Sequence, residues 1–220
     1  MEWVLTEDGT PTLFHPGYRE AYHPRQGALL QAQRLYLEKT LTHLHPAPRV
    51  LEVGFGLGVN FRAALESALE RGVRLRYLAV EKAPLPREVL EAARLPLSRA
   101  EGVFREILKA WPEARFRGPW GELRLLFADV AQAELPPFWA SAVYLDPFSP
   151  KANPEAWSAP VLLKLRLALR EGGRLATYSA QGAFRRALRG AGFRVHRVRG
   201  VGKREWTVGI AVGPLPAPGR

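Results

Sequence analysis

A short apolar run, Arg49-Val50-Leu51-Glu52-Val53, leads straight into glycines at alternate positions, Gly54, Gly56 and Gly58. A helical pattern follows, with Phe61, Ala64, Leu65, Ala68 and Leu69 on one face and a stop at Gly72. Glycine permits the positive-φ backbone that turns a strand end sharply into a helix and leaves bare backbone at the turn. A strand–turn–helix unit of this kind commits a chain to parallel strands, because the helix carries it back before the next strand begins. The alternation continues: Leu75 to Val80, Leu123 to Phe127, Ala142 to Leu145 and Arg174 to Ser179 read as strands. Helices are predicted from Pro84 to about Gly121 (carrying Trp111 and Trp120), from Pro154 or Pro160 to Arg170, and from Phe184 to Arg189. Phe193 to Val198 and Trp206 to Val212 are joined only by Arg199 to Glu205, too short for a crossover helix, so they form a hairpin with one strand antiparallel. The fold class is α/β, Rossmann-like: a seven-stranded, mostly parallel sheet with an antiparallel closing hairpin.

Before this core, Trp3-Val4-Leu5-Thr6 and Thr12-Leu13-Phe14 flank a turn at Glu7-Asp8-Gly9-Thr10 and read as a β-hairpin. A loop rich in Pro, Gly, His and Tyr runs from His15 to Gln26, and Leu29 to Leu44 predicts an amphipathic helix ending before Pro46. The expected organisation is an N-terminal hairpin and helix extension over 1–45, the Rossmann-like domain over 46–213, and a disordered tail over 214–220.

With 220 residues, 47% of them hydrophobic, the chain can bury one substantial core. The absence of cysteine excludes disulfides, thiolate metal sites and thiol nucleophiles, and no metal is expected. No apolar run reaches about 18 residues, and Met1-Glu2-Trp3 does not open a signal peptide, so the expected location is the cytoplasm. The net charge of +11, with 26 of the 32 basic residues being arginine, favours a polyanionic partner. An arginine-rich composition also suits a heat-stable protein. Arg185, Arg186 and Arg189 read as a solvated basic helix face.

In an open parallel sheet, ligands sit beyond the carboxyl ends of the strands. Four of those ends carry acids: Glu52, Glu81, Asp129 and Asp146. Glu81 can accept both hydroxyls of an adenosine ribose, and Asp129 can accept the adenine amino group. Each acid taken singly has an alternative as a helix cap or a solvated strand end. Together they indicate a nucleoside, shared by dinucleotide and S-adenosylmethionine sites. The antiparallel closing strand resembles class I S-adenosylmethionine-dependent methyltransferases, and no second domain is evident to hold a hydride acceptor.

The fourth strand end continues as Asp146-Pro147-Phe148-Ser149-Pro150-Lys151-Ala152-Asn153-Pro154-Glu155-Ala156-Trp157. Asp-Pro-Phe resembles the Asp/Asn-Pro-Pro-aromatic loop of amino methyltransferases. Asp146 can orient an amine and accept its proton, while Phe148 offers a stacking face to a splayed-out base. The alternatives are a capping Asp146 and a core Phe148. Lys151 is a candidate phosphate contact.

This run, together with Glu52 to Phe61, Glu81-Lys82-Ala83-Pro84-Leu85 and Gly200-Val201-Gly202-Lys203-Arg204-Glu205, resembles the MnmC-type tRNA methyltransferases over nearly the whole chain. Tyr22 to Ala28 and Leu95 to Gly121 match less well, and Pro147 and His23-Pro24 depart from the fused enzymes' pattern. The resemblance implies N-methylation of 5-aminomethyl-(2-thio)uridine at the tRNA wobble position, with the anticodon loop as partner and S-adenosyl-L-methionine as methyl donor. No stretch resembles the flavin oxidase fused to this domain in many bacteria, so the chain resembles the stand-alone form. Glu52, Gly54, Phe55, Gly56, Gly58, Asn60, Glu81, Asp129 and Asp146 map to cofactor positions, and Asp146 and Phe148 to catalytic ones. Lys203 and Arg204 map to tRNA contacts, with a solvated turn as their alternative. The rival readings are a polyamine-synthase-like aminopropyltransferase, which a +11 chain suits poorly, and a non-catalytic RNA-binding protein on the same scaffold.

Overall fold

The computed structural model describes every residue except Lys203, Pro214 and 216–220, so the expected tail falls almost wholly outside the described residues. Three antiparallel strands, β1 (Glu2–Leu5), β2 (Pro11–His15) and β3 (Glu20–Ala21), form a small N-terminal sheet, one strand more than the predicted hairpin. The helix that follows is shorter than its apolar pattern implies. A turn of α1 (Ala28–Gln31) passes into π-helical Ala32–Leu37, and Leu41 then adopts φ 62° before a 3-10 turn at Thr42–Leu44. Two threonines account for the break. The Thr40 hydroxyl donates to the Tyr36 carbonyl at 2.5 Å and shares a hydrogen bond with the Thr42 hydroxyl, so side chains compete with the helical ladder.

The main sheet has eight strands in the order β10-β11-β9-β8-β4-β5-β7-β6. In chain order these are β4 (Arg49–Val53), β5 (Leu75–Val80), β6 (Arg115–Gly118), β7 (Gly121–Leu126), β8 (Ala140–Leu145), β9 (Leu169–Thr177), β10 (Phe193–Arg199) and β11 (Glu205–Ala211). The central five are parallel, and β11 lies antiparallel between β9 and β10, as the short final connection requires. β6 is the addition to the seven expected strands. The segment before it holds α3 (Arg87–Ala92) and α4 (Ala100–Lys109), then doubles back to pair antiparallel with β7. Trp111 and Trp120 lie in turns rather than helices. Arg115 to Gly118 is too short an alternation to announce a strand by period alone.

Helix α2 (Val59–Glu70) covers one face with α4, so that Phe61 and Leu65 pack with Val50, Tyr77 and Phe104. On the other face α5 (Ala159–Ala168) and α6 (Gly182–Gly190) bury Leu162, Leu165 and Leu188 against Leu51, Leu78 and Leu145. Each such leucine stabilises the fold by about 2 kcal/mol. Arg185, read as solvated, is buried: its guanidinium donates to Thr207 Oγ1 at 2.9 Å and to Glu205 at 3.2 Å, tying α6 to β11. Arg186 and Arg189 are exposed. Among the described residues no helix is long and apolar enough to cross a membrane.

Arg62 on α2 and Arg166 on α5 are the largest fully buried side chains among the described residues, and Arg62 lies nearer the glycine turn. Its guanidinium donates to the carbonyls of Leu57 (2.9 Å), Gly58 (3.3 Å) and Ala93 (2.6 Å), pairs with Glu101 at 2.8 Å, and lies 4.5 Å from the Phe104 ring centre. It thereby ties the glycine turn to the α3–α4 connection. Removing one partner of a buried pair leaves the others desolvated and unpaired. Arg62→Met is therefore expected to cost about 3 kcal/mol of unfolding free energy. Denaturant titration checks this, and a loss below about 1 kcal/mol would show that water replaces the guanidinium.

Candidate active site

The carboxyl ends of β4, β5, β7 and β8 open into a cavity of about 680 Å³, within the range of small-molecule sites. It lies where strand order reverses between β4 and β8. At its floor the backbone of Gly54 (φ 91°) runs so close to the β8 end that a Cβ there would sit 2.8 Å from the Asp146 carbonyl. Gly56 (φ 50°) likewise leaves room for the Tyr22 ring. The turn is pinned to the next strand: Gly54 N–H donates to the Val80 carbonyl at 2.9 Å, and Gly56 N–H to Glu81 Oε2 at 3.0 Å. Ala83 N–H holds the other Glu81 oxygen at 2.8 Å, which fixes that carboxylate at the end of β5.

Phe55 lines the cavity and stacks on Trp111 at 5.8 Å. Gly58 starts α2 from behind the wall, packed on Phe55 and Phe104. Asp129 lines the cavity beyond β7, with one oxygen held by Lys82 at 2.8 Å and the other by Ala131 N–H at 2.9 Å. The Lys82 contact, then the backbone bond, hold its carboxyl below the usual range. Asp129, if it meets an adenine, does so with lone pairs these partners leave free.

Asp146 is the centre of the site. Its Oδ1 accepts from the Tyr36 hydroxyl at 2.6 Å and its Oδ2 from Asn60 Nδ2 at 2.8 Å. Asn60 also donates to Glu52 Oε1 at 2.8 Å, and the Tyr77 hydroxyl donates to Glu52 Oε2 at 2.8 Å. Burial pushes the Asp146 carboxyl up to about 7, against the two hydrogen bonds, which pull it down. Burial also holds the Tyr36 phenol protonated, reinforced by the Asp146 charge, so Tyr36 is the donor. Glu52 is fully buried and lies behind Asn60 rather than in the cavity wall. Burial raises its carboxyl well above the usual range.

Phe148 stands at the mouth inside an aromatic cluster. Tyr18 stacks on it at 4.3 Å, while Tyr22 and His15 meet it edge-on at 4.9 and 5.6 Å. The loop after Asp146 is held firmly: Ser149 N–H donates to Glu20 at 3.0 Å and its hydroxyl to the same carboxylate, Trp157 Nε1 donates to the Phe148 carbonyl at 2.8 Å, and the Tyr178 hydroxyl to the Pro147 carbonyl at 2.6 Å. Arg204 is exposed at the rim and lines the cavity, Lys151 is exposed outside its lining, and Lys203 lies outside the described residues.

Sequence reading missed Tyr36, Tyr178, Glu20, Tyr18 and His15. Tyr36 sits within an apolar helical pattern and reads as core. The others were visible only as a Tyr- and His-rich loop and a strand end. The buried His23, a neighbour of that cluster, accepts or donates with Thr12 Oγ1 at 2.9 Å, and burial, aided by Arg62, pushes it down to about 4.

A paired carboxylate fixed at the end of β5, bare glycine backbone leading into a helix, and apolar Leu85, Ala128 and Val130 nearby fit a nucleoside with a charged tail. With the antiparallel β11, fold and site define a class I S-adenosylmethionine-dependent methyltransferase. A family model described as S-adenosyl-L-methionine-dependent methyltransferase matches residues 98–211, and the chain belongs to that family, in its MnmC type. The tRNA 5-methylaminomethyl-2-thiouridine biosynthesis bifunctional protein MnmC of Cupriavidus metallidurans is 37% identical over 94% of this chain and 33% of its own length. The protein of the same name from Aromatoleum aromaticum is 35% identical over 97% of this chain and 36% of its own. The chain thus spans about a third of the length of these curated relatives. The solved structure of MNMC2 from Aquifex aeolicus superposes with a TM-score of 0.81 at 31% identity, covering 99% of this chain and 72% of that one. Spermidine synthase from Thermotoga maritima (TM-score 0.56, 14% identity, 96% and 72% covered) shares the fold.

Gly54→Ala tests the close approach of β4 and β8. A Cβ in that position meets backbone, which cannot swing away, so we expect a loss of about 1–3 kcal/mol in stability from strain. S-adenosylmethionine binding should weaken at least about tenfold by calorimetric titration, since the turn must shift by a fraction of an ångström. Wild-type affinity in this variant would show that the turn does not carry the cofactor.

Proposed function

We propose that this protein methylates the exocyclic amine of 5-aminomethyl-(2-thio)uridine at the wobble position of tRNA. The observation that carries the reading is Asp146, a carboxyl raised to about 7 and held by Tyr36 and Asn60 at the cavity floor, beside the aromatic Phe148. The MnmC-type relatives support the nucleoside, since their names give 5-methylaminomethyl-2-thiouridine in tRNA as the product of the whole protein.

When bound, S-adenosylmethionine supplies an electrophilic methyl group that a neutral amine takes with its lone pair as the sulfur–carbon bond breaks, leaving a surplus proton on nitrogen. Glu81 would accept from the ribose hydroxyls, and the glycine turn from Gly54 to Gly58, with Phe55 and Asn60, would hold the donor's tail. Asp146 orients the amine through a carboxylate oxygen and takes the proton. A pKa near 7 suits that step, because the group accepts readily yet releases to water. Phe148, with Tyr18 and Tyr22 beside it, receives the uracil ring by stacking, while Arg204 at the rim, with Lys151 and Lys203, contacts phosphate. An RNA of this kind places the protein in the cytoplasm.

The direct test incubates purified protein with S-adenosylmethionine and tRNA bearing 5-aminomethyl-uridine, then analyses the nucleosides by mass. Gain of one methyl group on that nucleoside is expected, and an unchanged profile overturns the reading. Asp146→Asn should lower kcat by about a hundredfold or more while tRNA binding persists. The ionised carboxylate is the acceptor, so kcat/KM should rise with pH through about 7, and the variant should lose that limb. Tyr36→Phe removes a hydrogen bond that stabilises the ionised form, so its limb should move to higher pH. A purely structural role for Tyr36 would leave the limb in place.

A further inference from the structure

The amino end of the sheet, opposite the active-site cavity, carries a second cleft, of about 690 Å³. Arg49, Arg74, Arg76 and Arg117 line it, and Glu122 is the one acid among the described lining residues. Strand register explains the arrangement. Arg49 of β4 faces Arg76 of β5, Arg76 faces Glu122 of β7, and Glu122 faces Arg117 of β6. Directly paired residues share a face, so these four form one row across four strands. Two residues further along β7, Arg124 faces Arg115 on the same face.

Like charges set directly opposite one another destabilise a strand pair. Glu122 already accepts from Arg115 and, at 3.3 Å, from Arg117, so it serves the β6 edge alone. Among the described residues, Arg49, Arg74, Arg76 and Arg124 have no acidic partner. Burial and the charges of Arg170 and Arg76 push the Arg49 guanidinium below its ordinary value. On the same face Leu51 and Leu78, one step nearer the carboxyl ends, are fully buried, whereas Arg76 and Arg117 are exposed. The cover over the sheet therefore stops where the arginines begin.

We infer that this uncovered arginine face binds the phosphate backbone of a structured RNA away from the reaction centre, an inference that rests on the RNA-substrate reading above. The planar guanidinium fork matches phosphate oxygens, and a row across four strands spans about 14 Å, the extent of a backbone segment rather than of one small anion. The chain's net charge of +11 adds long-range attraction. The row and the glycine turn lie at opposite ends of β4, about 13 Å apart along the strand. A nucleotide held in the cavity thus leaves the helical parts of the same RNA to reach the arginines.

The test compares full-length tRNA with its isolated anticodon stem-loop, both carrying 5-aminomethyl-uridine, using fluorescence anisotropy across a salt series. Wild-type protein should bind the full-length RNA at least about tenfold more tightly than the stem-loop. The double variant R76Q/R124Q, altered at exposed or half-exposed positions, should lose most of that difference. Its slope of log affinity against log salt should fall by about one per arginine, with stem-loop methylation unchanged within about twofold. A double variant that keeps wild-type affinity and slope for full-length tRNA overturns the inference and leaves the substrate reading standing. Loss of heparin binding with full-length tRNA binding retained also overturns it, and leaves the face to a polyanion other than this RNA. Wild-type protein that methylates neither RNA overturns the substrate reading and this inference together.

Discussion

Four polar side chains from four separate elements lie on one line of hydrogen bonds: Glu52 from β4, Asn60 from α2, Asp146 from the end of β8 and Tyr36 from the N-terminal helix. Two of them are carboxyls in a desolvated setting, where an unpartnered oxygen is costly. Asn60 places a donor on each, so α2 is held in rotation about its axis relative to both strands. Tyr36 closes the line from the other side. The N-terminal extension is therefore joined to the site through the Tyr36 hydroxyl, and the position of Asp146 depends on a segment more than 100 residues away in the chain.

Charge is segregated around that line. A chain of net +11 has a reaction cavity whose ionisable floor is acidic, with Glu81, Asp129 and Asp146 in its wall and Glu52 behind it. That polarity suits a positively charged methyl donor and, in the proposed reaction, an amine that gains positive charge as it is methylated. The arginines serve elsewhere. Arg62, Arg166 and Arg185 are buried as tethers for loops and strands, and the cleft arginines gather at the far end of the sheet. Basic residues near the cavity are confined to its rim and surroundings, where Arg204 and Lys82 are exposed. A polyanion can be attracted to such a molecule without a guanidinium lying against Asp146 and neutralising it.

The aromatic cluster shows where local sequence reading stops. Phe148 was legible because it follows an acid and a proline at a strand end. Tyr18, Tyr22 and His15 are its neighbours only because β2 and β3 pair and because Glu20 grips Ser149 across 129 residues. The buried Arg185 makes the same point in reverse. Its helix carries three arginines in a row that looks solvated, yet one of them faces β11, whose Glu205 and Thr207 offer the acceptors that permit its burial.

Apart from β6, the order of strands and helices from Arg49 onward, the glycine turn, the acids at four strand ends and the antiparallel closing pair were all decided by the sequence itself. Each is a local matter of period, backbone freedom or loop length, and β4 and β5 begin and end where the pattern places them. Tertiary structure alone decided the partners of those acids. It put Glu52 behind Asn60, gave Lys82 to Asp129, and brought Tyr36 to Asp146, because burial and hydrogen bonding depend on what folds across a site rather than on what neighbours it in the chain. It also added β6, whose pairing with β7 supplies a hydrogen-bond ladder that Arg115 to Gly118 cannot signal alone. The raised carboxyl of Asp146 belongs to this second group: the residue was legible, but its desolvation exists only once β8, α2 and the N-terminal helix have closed around it.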